Sequence, residues 1–291
     1  MRLLGRLGIT LAVLVVIYGL FVRLNERSWL FNPAPYPVGP WYNQSIYHAQ
    51  DIRFPAVDGS SLDAWWVPTV APERTVLLFH SRRGNLSDLA ERILRLRLLH
   101  SNVFAVDYRG YGKSQGRPSV AGVVQDGESA YQYLTQVRKI PPQRIVVQGD
   151  ELGAAVAAAV AARHPQVAAL VLESPFPNLR ALGNAMMPLA GWFMGGGFPV
   201  LQEVRQYPGP KLVLFGGSDA NVPAALSQEV YDAASEPKLE HEWPAATQNL
   251  LVIDAGPSYS RWMTTFYQKA KLAPAVPQQV YPKPTLRVGG G

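Results

Sequence analysis

The sequence predicts an α/β fold, a mostly parallel sheet with helices on both faces, entered through one N-terminal transmembrane helix. Two observations predict the sheet. Short apolar runs alternate with helical patterns from Thr75 to Ala270, and several of them, Thr75–His80 among them, are apolar enough to be strands covered on both faces. A third observation, a long uncharged stretch near Met1, predicts the membrane helix.

That stretch runs from Leu3 to Leu24, and no charge falls between Gly8 and Val22. A bilayer needs roughly 20 residues at 1.5 Å each, which Leu3, Leu4 and Leu7 complete with Arg6 reaching back to the interface. The exit from Leu20 to Arg27 is bulky and charged and has no small-residue cleavage site, so residues 1–27 read as an uncleaved signal-anchor. Arg2, Arg6 and the terminal amine outweigh Arg23 and Arg27, which puts the N-terminus in the cytoplasm. The body is then expected on the non-cytoplasmic side, periplasmic in a Gram-negative source. Residues 28–50 form a tether rich in proline and aromatic residues, among them Pro33, Pro35, Pro37, Tyr36, Trp41 and Tyr42, and expected to be extended.

The body, residues 51–271, opens with a hairpin: Ile52, Phe54 and Ala56 alternate, Asp58-Gly59 turns, and Leu62, Ala64 and Trp66 alternate back. Strands are expected at Thr75–His80, Val103–Tyr108, Arg144–Gly149, Ala168–Glu173, Lys211–Gly216 and Leu239–Trp243. Helices are expected at Leu86–Leu99, Val120–Val137, Gly153–Arg163 and Ser258–Ala270. Between Glu173 and Pro208 lies an irregular segment of Met, Gly and aromatic residues, readable as a small lid or as a connecting helix plus a glycine loop. The tail, residues 272–291, is rich in Pro and Gly and has too little apolar material for a core of its own.

Composition narrows the function. The 291 residues are 48% hydrophobic and 16% charged, with a formal charge of +6. The arginines are scattered except for Arg82, Arg83, Arg92, Arg95 and Arg97, which read as a solvated surface. A nucleic-acid partner would need the charge on one face, so none is expected. The absence of cysteine excludes disulfides, thiolate metal sites and a Cys nucleophile, and neither a metal nor a cofactor is expected.

The residues that should carry chemistry lie at Val146–Ala154, VVQGDELGA. A strand, a tight turn flanked by Gly149 and Gly153, and a helix make a nucleophile-elbow pattern, with Glu151 where the nucleophile would stand. With Leu77–Asp88, Val103–Ser119, Leu170–Phe176 and Leu212–Pro223, this segment makes the chain resemble the α/β-hydrolase superfamily, in its membrane-anchored, serine-aminopeptidase-like branch. The resemblance runs from Ile52 to Tyr267 and implies an α/β-hydrolase fold.

It also implies a Ser–Asp–His triad, and here the chain departs from the pattern. Glu151 replaces the serine, and His80-Ser81-Arg82-Arg83 replaces the His-Gly loop at the oxyanion hole. Asp219 keeps the acid position, and Gln248 stands where the base histidine belongs. A serine triad needs a hydroxyl, a base and an orienting acid. Gln248 cannot take a proton, and a Glu151 carboxylate repels a carbonyl oxygen and competes for N–H donors at Leu152 and near Ser81. One of Arg82 and Arg83 is expected to pair with Glu151 or Asp150. The expected function is an inactive pseudo-hydrolase serving as a binding or assembly subunit of a membrane complex. The alternatives are a non-standard hydrolase using Glu151, or a lipid or small-molecule sensor using the degenerate pocket.

Overall fold

The computed structural model describes residues 2–247 and 251–272. Gln248 and the tail beyond Leu272 lie outside the described residues. One sheet organises the body. Its strands are β1 (Gln50–Pro55), β2 (Ser61–Val67), β3 (Arg74–Phe79), β4 (Ser101–Asp107), β5 (Ile145–Asp150), β6 (Ala169–Glu173), β7 (Lys211–Gly216) and β8 (Lys238–Trp243). Their spatial order is β8-β7-β6-β5-β3-β4-β2-β1. Only β1 with β2 and β2 with β4 are antiparallel; all other neighbours are parallel. Each parallel return needs a crossover, and the helices supply it.

The period of two along a strand sorts the core into two layers. In β3, Leu77 and Phe79 point to one face and Val76 and Leu78 to the other. The first face is covered by α3 (Val120–Gln132), α4 (Leu152–Arg163), α7 (Val200–Gln206) and α8 (Ala224–Ala233); the second by α2 (Ala90–Leu98), α9 (Leu251–Ala255) and α10 (Pro257–Lys269). Every residue of α4 from Leu152 to Ala161 is buried, which explains its alanines: α4 lies under β5 and β6 with α3 and α7 across it. At Gly127 of α3 even a Cβ would come within 2.5 Å of Val156. The segment between β6 and β7 folds into α5 (Leu179–Met186), α6 (Ala190–Phe193) and α7.

The membrane-length helix α1 (Arg2–Leu30) is long and apolar enough to cross a bilayer and runs past Arg27 into the tether. Its C-terminal part packs on the body, where Val22, Leu30 and the following Phe31 are buried. The tether is not simply extended. Asn32–Pro33 add a parallel pair to Arg83–Gly84, and Asn43–Ile46 form one helical turn. Trp41 meets Trp65 edge-on at 5.7 Å, and Lys113 lies over the rings of Tyr36 and Trp41. These aromatics pack on the body because the rings and the lysine stem bury apolar surface there.

The tightest backbone approach joins β5 to α4. A Cβ on Gly149 would stand 2.0 Å from Gly153 O, and one on Gly153 2.4 Å from Phe79 O. Both obstacles are backbone and cannot rotate away. Gly149→Ala is therefore expected to destabilise the body by about 3 kcal/mol or more. A lowered urea midpoint, or failure to fold, is the expected result; an unchanged midpoint would contradict it.

Candidate functional site

Glu151 makes the turn between β5 and α4 with φ 52° and ψ −104°. A non-glycine residue there carries strain of order 1–2 kcal/mol. The turn is held by Glu151 N donating to Glu173 O at 2.9 Å and by Ala154 N donating to Glu151 O at 3.1 Å. The Glu151 side chain is buried and does not cap α4. It turns to the loop after β3, where Arg82 Nε lies 2.8 Å from Oε1 and the Arg82 backbone N–H donates to Oε2 at 3.3 Å.

The pairing expected of a loop arginine is thus made by Arg82. Arg83 is exposed and its backbone pairs with Asn32. Arg82 is itself buried and reaches further. Its Nη1 donates to Trp29 O at 3.2 Å and contacts Met186 Sδ, and its Nη2 donates to Asn221 Oδ1 at 3.4 Å. Tyr111 OH and Asn32 N both donate to Arg82 O. One guanidinium therefore joins the elbow, the end of α1, α5 and the loop after β7.

A second buried arginine corrects the reading of the arginine cluster as solvated surface. Arg92, on α2, donates from Nε to Glu173 Oε2 and from Nη2 to Asp150 Oδ2, both at 2.9 Å. Glu173 Oε1 accepts from Gln148 Nε2 and Tyr259 OH. Arg82 and Arg92 are enclosed because the carboxylates at the ends of β5 and β6 are enclosed, and an unpaired buried carboxylate is far costlier than a paired one. Burial, and next the nearby Glu173, Glu151 and Asp219, push Asp150 from an ordinary 3.8 up to about 7, against the opposing pull of Arg92.

His80 stands in the loop after β3 and lines part of the cleft beside it. It is buried between Tyr108 and Tyr111, with Nδ1 2.6 Å from Ser81 O and Nε2 3.4 Å from Asp107 Oδ1. Burial raises the Asp107 carboxyl, whose Oδ1 also accepts from Leu86 N. His80 therefore shapes the loop from inside. His48 and His100 are exposed, His164 binds Glu128, and His241 stacks on Trp262. Asp219 is buried, and its Oδ1 accepts from the backbone of Asn221 and Val222 at 2.8 and 3.0 Å. Leu152 and Gly153 begin α4 in the buried core. Ser81 lies beside a cleft of about 250 Å³, lined also by Arg83, Asp88, Arg92 and Asp150. No group of residues suited to a metal ion occurs among the described residues.

Arg92, Glu173, Gln148 and Tyr259 are absent from the sequence-based site. One signal pointed to Glu173. In a parallel sheet the ends of adjacent strands meet, and the register sets Glu173 beside Asp150. The two partners from α2 and α10 had no such local signal.

Two outcomes follow from these charges. Arg82→Met leaves Glu151 buried without its cation and is expected to cost about 3–5 kcal/mol, most of it recovered in Arg82→Met/Glu151→Met. A double-mutant cycle by urea unfolding reads the coupling; additive losses would contradict it. Because the folded state holds the Asp150 proton more tightly than the unfolded chain, the stability this carboxyl contributes is lost as pH rises from about 4 to about 7. In Asp150→Asn that loss is expected to be shallower than in wild type, measured as the urea midpoint against pH.

The chain matches the family described as serine aminopeptidase, S33, over residues 70–206. It is 33% identical to the Mycobacterium tuberculosis protein Rv2307c, over 81% of this chain and 87% of the relative. It is 30% identical to the alpha/beta hydrolase domain-containing protein WAV2 of Arabidopsis thaliana, over 82% of this chain and 83% of the relative. Among solved structures, the Pyrococcus furiosus esterase Pf2001 superposes with a TM-score of 0.68 at 20% identity, covering 82% of this chain and 97% of that one. At that identity it speaks for the fold alone. With β5, the elbow and α4 in place, the chain belongs to the α/β-hydrolase superfamily.

Proposed function

We propose that this chain is a membrane-anchored pseudo-hydrolase, a binding or assembly subunit of a membrane complex. The observation that carries the reading is the Arg82–Glu151 pair. In an active member of the fold a hydroxyl stands at the elbow and loop N–H groups wait for a carbonyl oxygen. Here the elbow holds a carboxylate, a guanidinium neutralises it at 2.8 Å, and a loop N–H is already donating to it. Nothing in that arrangement supplies a nucleophile and a base together. The base position carries Gln248, whose amide has no titratable nitrogen. An alkyl-ester route through Glu151 would still need a base to activate water.

Binding is what such a body can still do. The α1 helix sets it at a bilayer, its exit lacking a small-residue cleavage site. The slight excess of positive charge before α1 favours a non-cytoplasmic body.

The test is turnover of a panel of short acyl esters and an anilide by the purified protein beside Glu151→Ala and Glu151→Ser. No rate above buffer is expected for any of the three, because serine at the elbow still lacks a base. Turnover by wild type that Glu151→Ala abolishes would make Glu151 a working group and overturn the proposal.

A further inference from the structure

We propose that the segment from Met186 to Phe193 dips into the same bilayer that α1 crosses, a second membrane contact that does not span. The inference rests on the anchor half of the proposed function and is independent of whether Glu151 is inert.

Three contacts fix the height of the segment along α1. Gly195 N donates to Glu26 Oε1 at 3.0 Å. One step toward the N-terminus, the Phe193 ring lies against Gly19, where a Cβ would come within 2.5 Å of it. Lower still, Tyr18 OH donates to Pro188 O, and the Tyr18 ring meets Phe193 edge-on at 5.6 Å. The segment therefore descends beside the helix toward its apolar run. Arg23 and Glu26 pair with each other above that run, with Arg23 61% exposed. At 1.5 Å per residue, Tyr18 lies about 7 Å below Arg23. A hydrocarbon span of roughly 20 residues ending near Val22 includes Tyr18 and Gly19. Whatever touches those two residues shares their depth.

The chemistry of the segment suits that depth. No charged residue occurs from Ala181 to Gln202. Trp192 is 79% exposed and Leu189 63% exposed among the described residues, with the partly exposed Met186 near them. Leu189 adopts φ 63°, a conformation in which glycine would be the unstrained choice at a tip in water. A leucine there is favoured where the surroundings are acyl chains, and a tryptophan where chains meet headgroups.

Irregular backbone is tolerated in a membrane only when its polar groups are satisfied. Here Pro188 O accepts from Tyr18, Gly191 N donates to Asn184 Oδ1 at 2.8 Å, and Ala190 N and Trp192 N donate to Met187 O and Leu189 O at 3.1 Å. The occupant argued for is lipid, because the patch is continuous with the surface of α1 that lipid already covers.

The absence of cysteine in the chain allows a direct test. Full-length Leu189→Cys, Trp192→Cys, Val13→Cys and Val70→Cys, each carrying an environment-sensitive fluorophore, are placed in phosphatidylcholine nanodiscs. Quenching by brominated acyl chains is compared with quenching by iodide. The labels at Leu189 and Trp192 are expected to lose fluorescence to brominated lipid, as the label at Val13 does. The label at Val70, 88% exposed on the body, is expected to respond to iodide alone. If Leu189 and Trp192 behave like Val70 while Val13 is quenched by lipid, the dip is wrong and the anchor stands. If Val13 also responds to iodide alone, the anchor reading falls. Labels at 189 and 192 shielded from both quenchers would mean that protein covers the patch, which also overturns the inference.

Discussion

An enclosed carboxylate is costly unless a cation, a proton or N–H donors compensate it, and much of this molecule is arranged around that constraint. Glu151 is buried by the turn between β5 and α4, at a place set by two glycines that bring β5, β3 and α4 into backbone contact. The turn cannot move to let the side chain reach water, so the neutralising charge has to come to it. Arg82 does so from the next loop and is buried in turn, and its remaining N–H groups need acceptors. The end of α1 and the loop after β7 provide them. A substitution at one position of the elbow is thus tied to groups on four separate elements.

The neighbouring charges extend the pattern. Asp150, Glu173 and Asp219 crowd the same strand ends, and Arg92 serves two of them. Two arginines stand among four acids. Burial raises the Asp150 carboxyl, Tyr259 and Gln148 donate to Glu173, and backbone N–H groups donate to Asp219. A hydrolase of this fold leaves such a space for substrate. Here ion pairs and hydrogen bonds within the chain engage the elbow carboxylate, and a cleft of about 250 Å³ lies beside the loop after β3.

The sheet was legible in the sequence because its signals are local. Apolar runs such as Val76–Phe79 and Val146–Val147, bounded by turn residues, fix strands without reference to partners, and the elbow glycines fix the turn. The pairing of Glu151 with a loop arginine was legible as well, since both stand at positions the fold brings together. Arg92 was not. On α2 it has the look of any helix-surface arginine, and only the parallel register of β5 and β6 reveals the two acids it must neutralise. The aromatic surroundings of His80 were not legible for a related reason. Its neighbours Tyr108 and Tyr111 come from the loop that follows the adjacent strand β4, and nothing near His80 in sequence announces an aromatic pocket. The tether aromatics were ambiguous until Trp65 and Lys113 were seen beneath them.

The chain leaves α1 and within a few residues pairs Asn32–Pro33 with Arg83–Gly84, while α6 grips the same helix from the side. A body held by a single flexible stalk would spin and tilt, presenting every face in turn. Held at two points, this one keeps a constant heading and pitch. If α1 anchors the body in a bilayer as proposed, a neighbour diffusing there would meet one fixed profile, and its search for a productive encounter would lose most of its rotational part before the two surfaces touched.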